Sequence, residues 1–201
     1  MNRAFVLAFK DMAKEAGSGV KLYHTGAVEI PVPDIRHGRV NADFGQGFYL
    51  TPDADFTYRW ARKDAVVNAY ELDLEGLAVH RFERDEAWFD YIFHNRRARD
   101  TVEADVIIGP IANDTIFDTF GIISSGYLKP GDALELLRIG PEYTQVAVKT
   151  EKAAKRLRWT GAKVVADVET HRQALKAEMA EYDREFARVV ERIAGSGALL
   201  R

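Results

Sequence analysis

The sequence predicts an α+β fold, and three features of the chain indicate it. Several short segments have the β-branched, alternating or continuously apolar character of strands. Short helical segments lie between them, but the connections are too irregular for a doubly wound parallel sheet. The long segment 167–194 is rich in Ala, Glu and Arg and predicts a terminal helix.

The predicted elements follow one another without an internal repeat. Strands are expected at 20–24, 48–51, 65–74, 105–110, 144–149 and 163–166. Helices are expected at 54–64, 84–98, 114–121, 131–138, 151–157 and 167–194, after a short amphipathic helix within residues 1–18. Residues 28–47 are rich in proline and glycine and predict a loop with one helical turn. We divide the chain into an N-terminal helix (1–18), a domain (19–166) and a C-terminal helical extension (167–201).

Three of the predicted helices carry local signals. Asp53 or Thr51 can cap the helix at 54–64. One face of the helix at 84–98 carries Trp88, Tyr91, Ile92 and Asn95. The terminal helix has an apolar stripe of Leu175, Met179, Tyr182, Phe186 and Val189 or Val190. This stripe must bury against the domain or against a partner helix.

Composition and charge narrow the classes of function. The chain has 201 residues, 47% of them apolar, and a net charge of −3, so no global attraction to nucleic-acid phosphates is expected. The absence of cysteine excludes disulfides, thiolate metal sites and a cysteine nucleophile. The five histidines show no metal-ligand spacing, and no dinucleotide or Walker glycine motif is present. The apolar patch near the start is too short for a signal sequence or membrane span, which predicts a cytoplasmic protein without a membrane partner.

Two motifs carry the chemistry, LYHTG at 22–26 and DFGQGFYLT at 43–51. A histidine at a strand end, followed by Thr25 and Gly26, can present an imidazole and a bare backbone edge to one ligand. Gly47 allows close backbone approach to a ligand before a strand begins. Tyr49 then offers a flat face for stacking on an aromatic ring. The alternative is structural, with His24 a satisfied core histidine and Tyr49 a core side chain.

In this order, the motifs resemble the first two signature elements of the ADP-ribosyltransferase and poly(ADP-ribose) polymerase superfamily, histidine–tyrosine type. Within it, the chain resembles a bacterial branch known as a domain of unknown function. The matching segments span about residues 20–160 and are LYHTG, DFGQGFYLT, the Trp60-Ala61 pair, VNAYELD, ADVIIGPIAND and TQVAVKT. The resemblance implies a split antiparallel β-sheet core with flanking helices, and NAD+ as the substrate.

The resemblance also implies roles for individual residues. His24 would hydrogen-bond the hydroxyl of the nicotinamide ribose, and the backbone at Thr25 would hold the carboxamide. Tyr49 would stack on the nicotinamide, and Trp60, with Tyr58 as the alternative, would close the stack. An aromatic sandwich suits the cationic nicotinamide ring. An oriented ribose can then dissociate towards an oxocarbenium-like state. Trp60 is equally well explained as a core side chain.

The third signature element departs from the superfamily pattern. Its glutamate is expected at the start of the strand 144–149, where this chain has Gln145. Glutamine can hydrogen-bond a ribose hydroxyl but cannot act as a carboxylate, which disfavours polymer elongation and leaves mono-transfer. Asp114, Asp105 and Glu142 are candidate substitutes, and Asp114 is favoured because it follows a strand end and a Gly-Pro break. Structurally, Asp114 can be a helix cap, Asp105 can pair with Arg96 or Arg97, and Gln145 can face solvent.

Two basic groups also allow two interpretations. Arg36, His37 and Arg39 lie between the motifs, where they can grip the NAD+ pyrophosphate or an acidic target, or form a solvated loop. A second group lies on or after the 84–98 helix and predicts a solvated face or internal pairs: His94, Arg96, Arg97 and Arg99.

The predicted function is therefore transfer of one ADP-ribose from NAD+ to a macromolecule, with release of nicotinamide and no metal. The acceptor, protein or nucleic acid, is left open. By family analogy alone, the setting is a bacterial toxin–antitoxin or phage-defence system, with an antitoxin protein as a partner. The alternatives are a catalytically silent NAD+ or nucleotide-binding module, an NAD+ glycohydrolase, and an interaction protein with a vestigial pocket.

Overall fold

A computed structural model describes residues 19–60, 62–97, 99–112 and 128–195, without the side chain of Trp60. The predicted helices at 1–18 and 114–121 lie outside these residues, as does Asp114. The described chain is α+β, with two sheets and a long C-terminal helix. The sequence therefore predicted the fold class correctly.

The first sheet is antiparallel and has three strands in the order β1-β3-β7. These are β1 (Val20–Gly26), β3 (Val66–Leu72) and β7 (Leu157–Val164). The alternation of β3 places every second side chain in the core, as expected for a sheet that packs on one face. The predicted strand 163–166 covers only the end of β7, because this exposed edge strand has no continuous apolar run.

The second sheet has four strands in the order β2-β6-β5-β4. These are β2 (Phe48–Leu50), β4 (Val79–Arg81), β5 (Val106–Pro110) and β6 (Thr144–Val148). The central strands β5 and β6 are buried on both faces, which explains their apolar runs. β4 was not predicted, since its three residues carry no strand pattern. It pairs parallel to β5, so the expectation of a wholly antiparallel core is wrong at this edge.

The two sheets meet between β1 and β2. Tyr23 and Thr51 form an antiparallel bridge through two backbone hydrogen bonds of 2.8 and 2.9 Å. The next pair of such a ladder would join Thr25 to Tyr49. The Tyr49 carbonyl instead accepts a hydrogen bond from the His24 ring, so the ladder stops and the strands diverge.

Three of the four shorter α-helices that the structure describes begin at side-chain caps. Asp53 caps α1 (Ala54–Thr57) by accepting from the Phe56 N–H, and a 3-10 turn, Tyr58–Trp60, follows. Asp53 is thus the cap that the sequence predicted as one of two, although α1 is shorter than the expected helix at 54–64. The remaining helices are α2 (Glu86–Asn95), α3 (Pro130–Leu137), α4 (Glu151–Ala154) and α5 (Val168–Gly195).

The elements pack as three layers. The first sheet lies against one face of the second sheet, and α2, α3 and α5 cover the other face. The predicted face of α2 is buried throughout. In α5, Tyr182 and Phe186 of the stripe are buried against the domain, as is Ile193 further along the helix, so the domain itself covers that part of the stripe. No helix in the described ranges combines the length and apolarity that crossing a membrane requires.

Candidate functional site

A cavity of about 950 Å³ opens beside the point where β1 and β2 diverge. Its volume is at the upper end of the range for small-molecule sites, roughly 300–1,000 Å³. The lining comes from the end of β1, the loop before β2, β2 itself, the end of α2 and the start of β6. The polar lining residues with interactions described below are His24, Asp43, Tyr49, Arg96 and Gln145.

His24 stands on β1 with its ring held by the neighbouring strand. Its Nδ1 lies 2.7 Å from the Tyr49 carbonyl oxygen. Because a carbonyl only accepts, we assign the proton to Nδ1, which leaves Nε2 with its lone pair in the neutral ring. Burial lowers the pKa of His24, and the hydrogen bond to Tyr49 opposes this only in part. The cavity wall therefore carries a neutral imidazole that accepts hydrogen bonds at Nε2.

Tyr49 lines the cavity from β2, and its hydroxyl is committed to the loop before the strand. The hydroxyl accepts from the Phe44 N–H at 2.9 Å and donates to the Gly45 carbonyl at 2.7 Å. Burial, followed by the charge of Asp43, raises the pKa of Tyr49 far above its usual value. Tyr49 thus has its ring, and not an acid–base group, to offer a ligand.

Glycines shape the turn that leads into β2. Gly45 has φ of 72°, in the left-handed region that favours glycine. A Cβ on Gly47 would lie 2.8 Å from the Val148 carbonyl oxygen, so glycine is needed where the chain passes β6. Gly47 also lines the cavity. Its presence has a packing cause as well as the ligand-binding role that the motif suggests.

Gln145 lies at the start of β6, opposite Gly109 of β5. Its side chain is buried, so the alternative of a solvent-facing residue is wrong. The amide nitrogen Nε2 donates to Asp43 Oδ2 at 3.3 Å and to the Pro110 carbonyl at 3.2 Å. The structure thus brings the third-motif residue to the same cavity as His24 and Tyr49.

Asp43 is a cavity carboxylate that was not predicted from the sequence. Its Oδ1 accepts from Arg96 Nε at 3.1 Å and Nη2 at 2.9 Å, and its Oδ2 accepts from the Ala112 N–H at 3.3 Å. Arg96 makes one of the internal pairs that were an alternative to a solvated face, with Asp43 as its partner and not Asp105. The only local signal was the position of Asp43 at the head of the second motif.

Several predicted site residues lie elsewhere. Arg36 is exposed and pairs with Asp34, whereas its neighbours His37 and Arg39 line the cavity. Thr25 and Gly26, by contrast, do not line the cavity that the described residues form. The Thr25 hydroxyl donates to the Thr57 carbonyl at 2.7 Å, and any ligand contact of Thr25 would be through its backbone.

The alternative candidates also lie apart from the cavity. Tyr58 stacks on His171 of α5, with ring centroids 4.2 Å apart. Asp105 is at the opposite end of β5 from Gln145, where Thr150, the Ala78 N–H and Lys152 hold its pKa down, to about 2. Glu142 is exposed. The side chain of Trp60, like all of Asp114, belongs to the part of the chain that is not described.

Metal ligands do not converge in the described ranges, where no group of three or more His, Asp or Glu side chains could hold an ion. The groups that face the cavity suit an organic ligand. They provide the aromatic ring of Tyr49, the acceptor of His24, the amide of Gln145 and the side chains of His37 and Arg39. Fold and cavity together define an α+β domain with a cavity of the size that small-molecule sites have.

Within that class, the chain belongs to the family described as "Protein of unknown function (DUF3990)", which matches residues 20–159. The match begins with β1 and ends within β7, so it includes all the cavity residues named above and excludes α5. No curated protein and no solved structure matches the chain.

Proposed function

We propose that this protein transfers ADP-ribose from NAD+ to a macromolecular acceptor and releases nicotinamide. The observation that carries the proposal is the hydrogen bond from His24 Nδ1 to the Tyr49 carbonyl. It joins the histidine and the tyrosine of two separate motifs at one cavity wall. Both motifs resemble those that bind NAD+ in the ADP-ribosyltransferase superfamily, and a sheet split between β1 and β2 fits that architecture.

The imidazole is suited to holding the ribose. With Nδ1 donating to Tyr49, the neutral His24 ring offers Nε2 as an acceptor for a ribose hydroxyl proton. Its lowered pKa keeps this acceptor available near neutral pH. A held hydroxyl orients the ribose, which is the requirement for cleaving the glycosidic bond without a strong nucleophile.

The nicotinamide would lie against Tyr49, where the diverging strands leave room. A cationic ring is attracted to an aromatic face. Because Tyr23 turns its N–H and C=O towards Thr51, Thr25 two residues later turns its own to the same side, where β2 has moved away. This direction supports the expected contact of the Thr25 backbone with the carboxamide.

The reaction then needs little covalent work from the protein. The glycosidic C–N bond breaks with its electron pair passing to the nicotinamide nitrogen, so nicotinamide leaves as a neutral molecule. The acceptor atom bonds to ribose C1′, and its proton passes to solvent water. His37 and Arg39 line the same cavity and would contact the pyrophosphate. A toxin controlled by an antitoxin is the setting that the family analogy suggests.

The test is label transfer from adenylate-radiolabelled NAD+ into a bacterial lysate, with the products divided by protease and nuclease treatment. We expect wild type to transfer label, and His24→Ala and Tyr49→Ala to lose it. The matched control is His94→Ala, because His94 also places Nδ1 on a backbone carbonyl, that of Asp90, but is exposed. Circular dichroism checks that each variant is folded.

Three results would contradict the proposal in different ways. Free ADP-ribose without labelled macromolecule would indicate a glycohydrolase. NAD+ that binds but stays intact would indicate a silent binding module, for which Gln145 in place of glutamate is the supporting feature. Absence of both binding and turnover would leave an interaction protein with a vestigial pocket.

A further inference from the structure

Beside the proposed NAD+ site, a buried ion pair contacts the glutamine at the third-motif position. The side chains of Asp43 and Arg96 are 9% and 7% exposed, and Arg96 binds Oδ1 through two nitrogens. Both nitrogens reach the same oxygen, so Arg96 fixes the position of Oδ1. The Ala112 N–H donates to the other oxygen, Oδ2, which faces Gln145. The carboxylate is therefore held at both of its oxygens.

Both hydrogens of the Gln145 amide are already committed. Nε2 donates one to Asp43 Oδ2 and the other to the Pro110 carbonyl. Each partner only accepts, so a flipped amide would place Oε1 against two other oxygens and lose both bonds. The hydrogen-bond network thus assigns the amide orientation. Because Gln145 lines the cavity, the group left to meet a ligand is the carbonyl oxygen Oε1.

We propose that Asp43 and Arg96 are positioning residues that lock the Gln145 amide, so that Gln145 presents Oε1 as a neutral acceptor to a ribose hydroxyl of NAD+. This inference rests on the proposed function. It explains how the chain can use a glutamine where the superfamily pattern has a glutamate. The negative charge is present, but it lies on Asp43, whose carboxylate is paired with Arg96.

A consequence is that restoring the superfamily glutamate should harm this site. Gln145→Glu would place a carboxylate oxygen about 3.3 Å from Asp43 Oδ2 and about 3.2 Å from the Pro110 carbonyl. Two buried carboxylates would then share one arginine, which favours expulsion of one of them or uptake of a proton. We expect kcat/KM for NAD+ to fall about tenfold or more, since a lost buried hydrogen bond has an effect of this order.

The double substitution Asp43→Asn with Gln145→Glu tests the positioning of the Gln145 amide by Asp43 and Arg96, which we call the lock. It distinguishes loss of the lock from general damage to the site. It exchanges the carboxylate and the amide, so Arg96 again balances one charge and the amide at position 43 can donate to the carboxylate at 145. Rescue should be partial, because the Ala112 N–H would then face the amide nitrogen of Asn, and the Pro110 carbonyl would still face a carboxylate oxygen. We expect the double variant to be several-fold more active than Gln145→Glu. The control Gln173→Glu adds the same charge at an exposed position of helix α5, and its activity should match that of wild type.

The experiment has two independent readouts on the full chain. The first is the side-chain amide of Gln145 by NMR, without NAD+. We expect two distinct signals with slow hydrogen exchange in wild type, and faster exchange in Arg96→Lys, which loses the two-point contact. The second is NAD+ binding by calorimetry, together with nicotinamide release, for wild type, Gln145→Glu, the double variant and Gln173→Glu.

The outcomes distinguish this inference from the proposed function. Three results together would support the lock: slow exchange of the Gln145 amide in wild type, reduced NAD+ turnover in Gln145→Glu, and partial recovery of turnover in the double variant. If wild type turns over NAD+ and Gln145→Glu is equally or more active, the lock is overturned while the proposed function stands. If wild type neither binds nor consumes NAD+, the proposed function fails and the acceptor role of Gln145 fails with it. Rapid amide exchange in wild type would overturn the lock whatever the activity.

Discussion

At the scale of single residues, the chemistry of the cavity depends on which hydrogen atoms already form hydrogen bonds within the protein. The Nδ1–H of His24 donates a hydrogen bond to the Tyr49 carbonyl, and the Tyr49 hydroxyl donates one to the Gly45 carbonyl. The amide of Gln145 donates one hydrogen bond to Asp43 and one to the Pro110 carbonyl. These three residues therefore turn acceptors and an aromatic ring, not proton donors, towards a ligand. Such a wall suits hydroxyl groups next to a cationic ring.

The pKa of His24 gives the first residue-scale prediction. We expect His24 to titrate below the ordinary value of 6.5, because burial disfavours the charged ring. The unfolded chain takes up this proton near pH 6.5 and the folded chain only at lower pH. Folding stability should thus decrease as the pH falls below 6.5 through the lowered pKa. NAD+ turnover should be lost at the low end of this range, around the lowered pKa itself, because only protonation of the folded His24 removes the Nε2 acceptor.

NMR titration of the histidine ring protons measures this directly. The His24 signal is assigned by its absence in His24→Gln, a variant that should also lose the acid-side decrease in stability. A His24 pKa at or above 6.5 would contradict the dominance of burial over the hydrogen bond to Tyr49, and an Nε2–H tautomer would contradict the assigned hydrogen bond.

Tyr49 supports a second prediction at this scale. Tyr49→Phe keeps the ring but leaves the Phe44 N–H and the Gly45 carbonyl without their hydroxyl partner. We expect it to lower the free energy of unfolding by about 1–3 kcal/mol, while NAD+ binding stays close to wild type. Tyr49→Ala should lose NAD+ binding as well. Chemical denaturation and calorimetry check the two effects. A stable Tyr49→Phe variant without turnover would show instead that the hydroxyl takes part in the chemistry.

At the scale of elements, the site depends on how closely β2 approaches β6. β2 has only three residues, and its pairing begins at Phe48 and Val148. Gly47 is the residue that lets the loop enter β2 beside the Val148 carbonyl. Since Tyr49 is two residues further, any shift of this entry moves the cavity wall.

A pair of glycine substitutions tests this argument. Gly47→Ala would bring a methyl group to 2.8 Å from the Val148 oxygen, and we expect the free energy of unfolding to fall by about 1–3 kcal/mol. Gly131→Ala is the matched control, because Gly131 lies in α3 and a Cβ there would meet no atom within 4 Å. It should raise stability by about 0.5–1 kcal/mol. Urea denaturation compares them. Equal stability of Gly47→Ala and wild type would refute the close approach.

At the scale of the whole molecule, α5 belongs to the domain core. Tyr182, Phe186 and Ile193 share one apolar cluster with α2 and α3. Polar contacts add to this one turn before Tyr182, where Glu178 pairs with Arg59 and accepts from the Tyr143 hydroxyl. The helix therefore connects the segment after β2 with the layer that covers the second sheet.

The corresponding prediction concerns cooperative unfolding. Phe186→Ala removes a buried ring from the shared cluster, and we expect the free energy of unfolding to fall by about 3–5 kcal/mol. Lys176→Ala, on the exposed face of α5, should change it by less than about 0.5 kcal/mol. Denaturation is followed by tryptophan fluorescence, since Trp88 is in the same cluster. Unchanged stability of the domain in Phe186→Ala would mean that α5 is a separate extension.

Local patterns were sufficient for most of the described elements. β3 was predicted from alternation and α2 from helical spacing. Both patterns arise because one face of the element packs against the core, so a short stretch of sequence is enough to show them. Prediction failed for strands whose burial does not impose a pattern on the sequence. β4 has three residues and an exposed end, and β7 is a largely exposed edge strand. Their pairing is decided by the neighbouring strands and not by their own residues.

The sequence by itself determined the α+β class and the two motifs that hold His24 and Tyr49, because both motifs are continuous segments. Only the tertiary structure decided which groups complete the cavity. Asp43 and Arg96 are 53 positions apart, and Asp43 and Gln145 are 102 apart. The same structure turned Arg36 outwards and left His37 and Arg39 at the cavity. Hydrogen bonds of buried polar groups must be satisfied by whatever the fold brings near, and no local period in the chain encodes that choice.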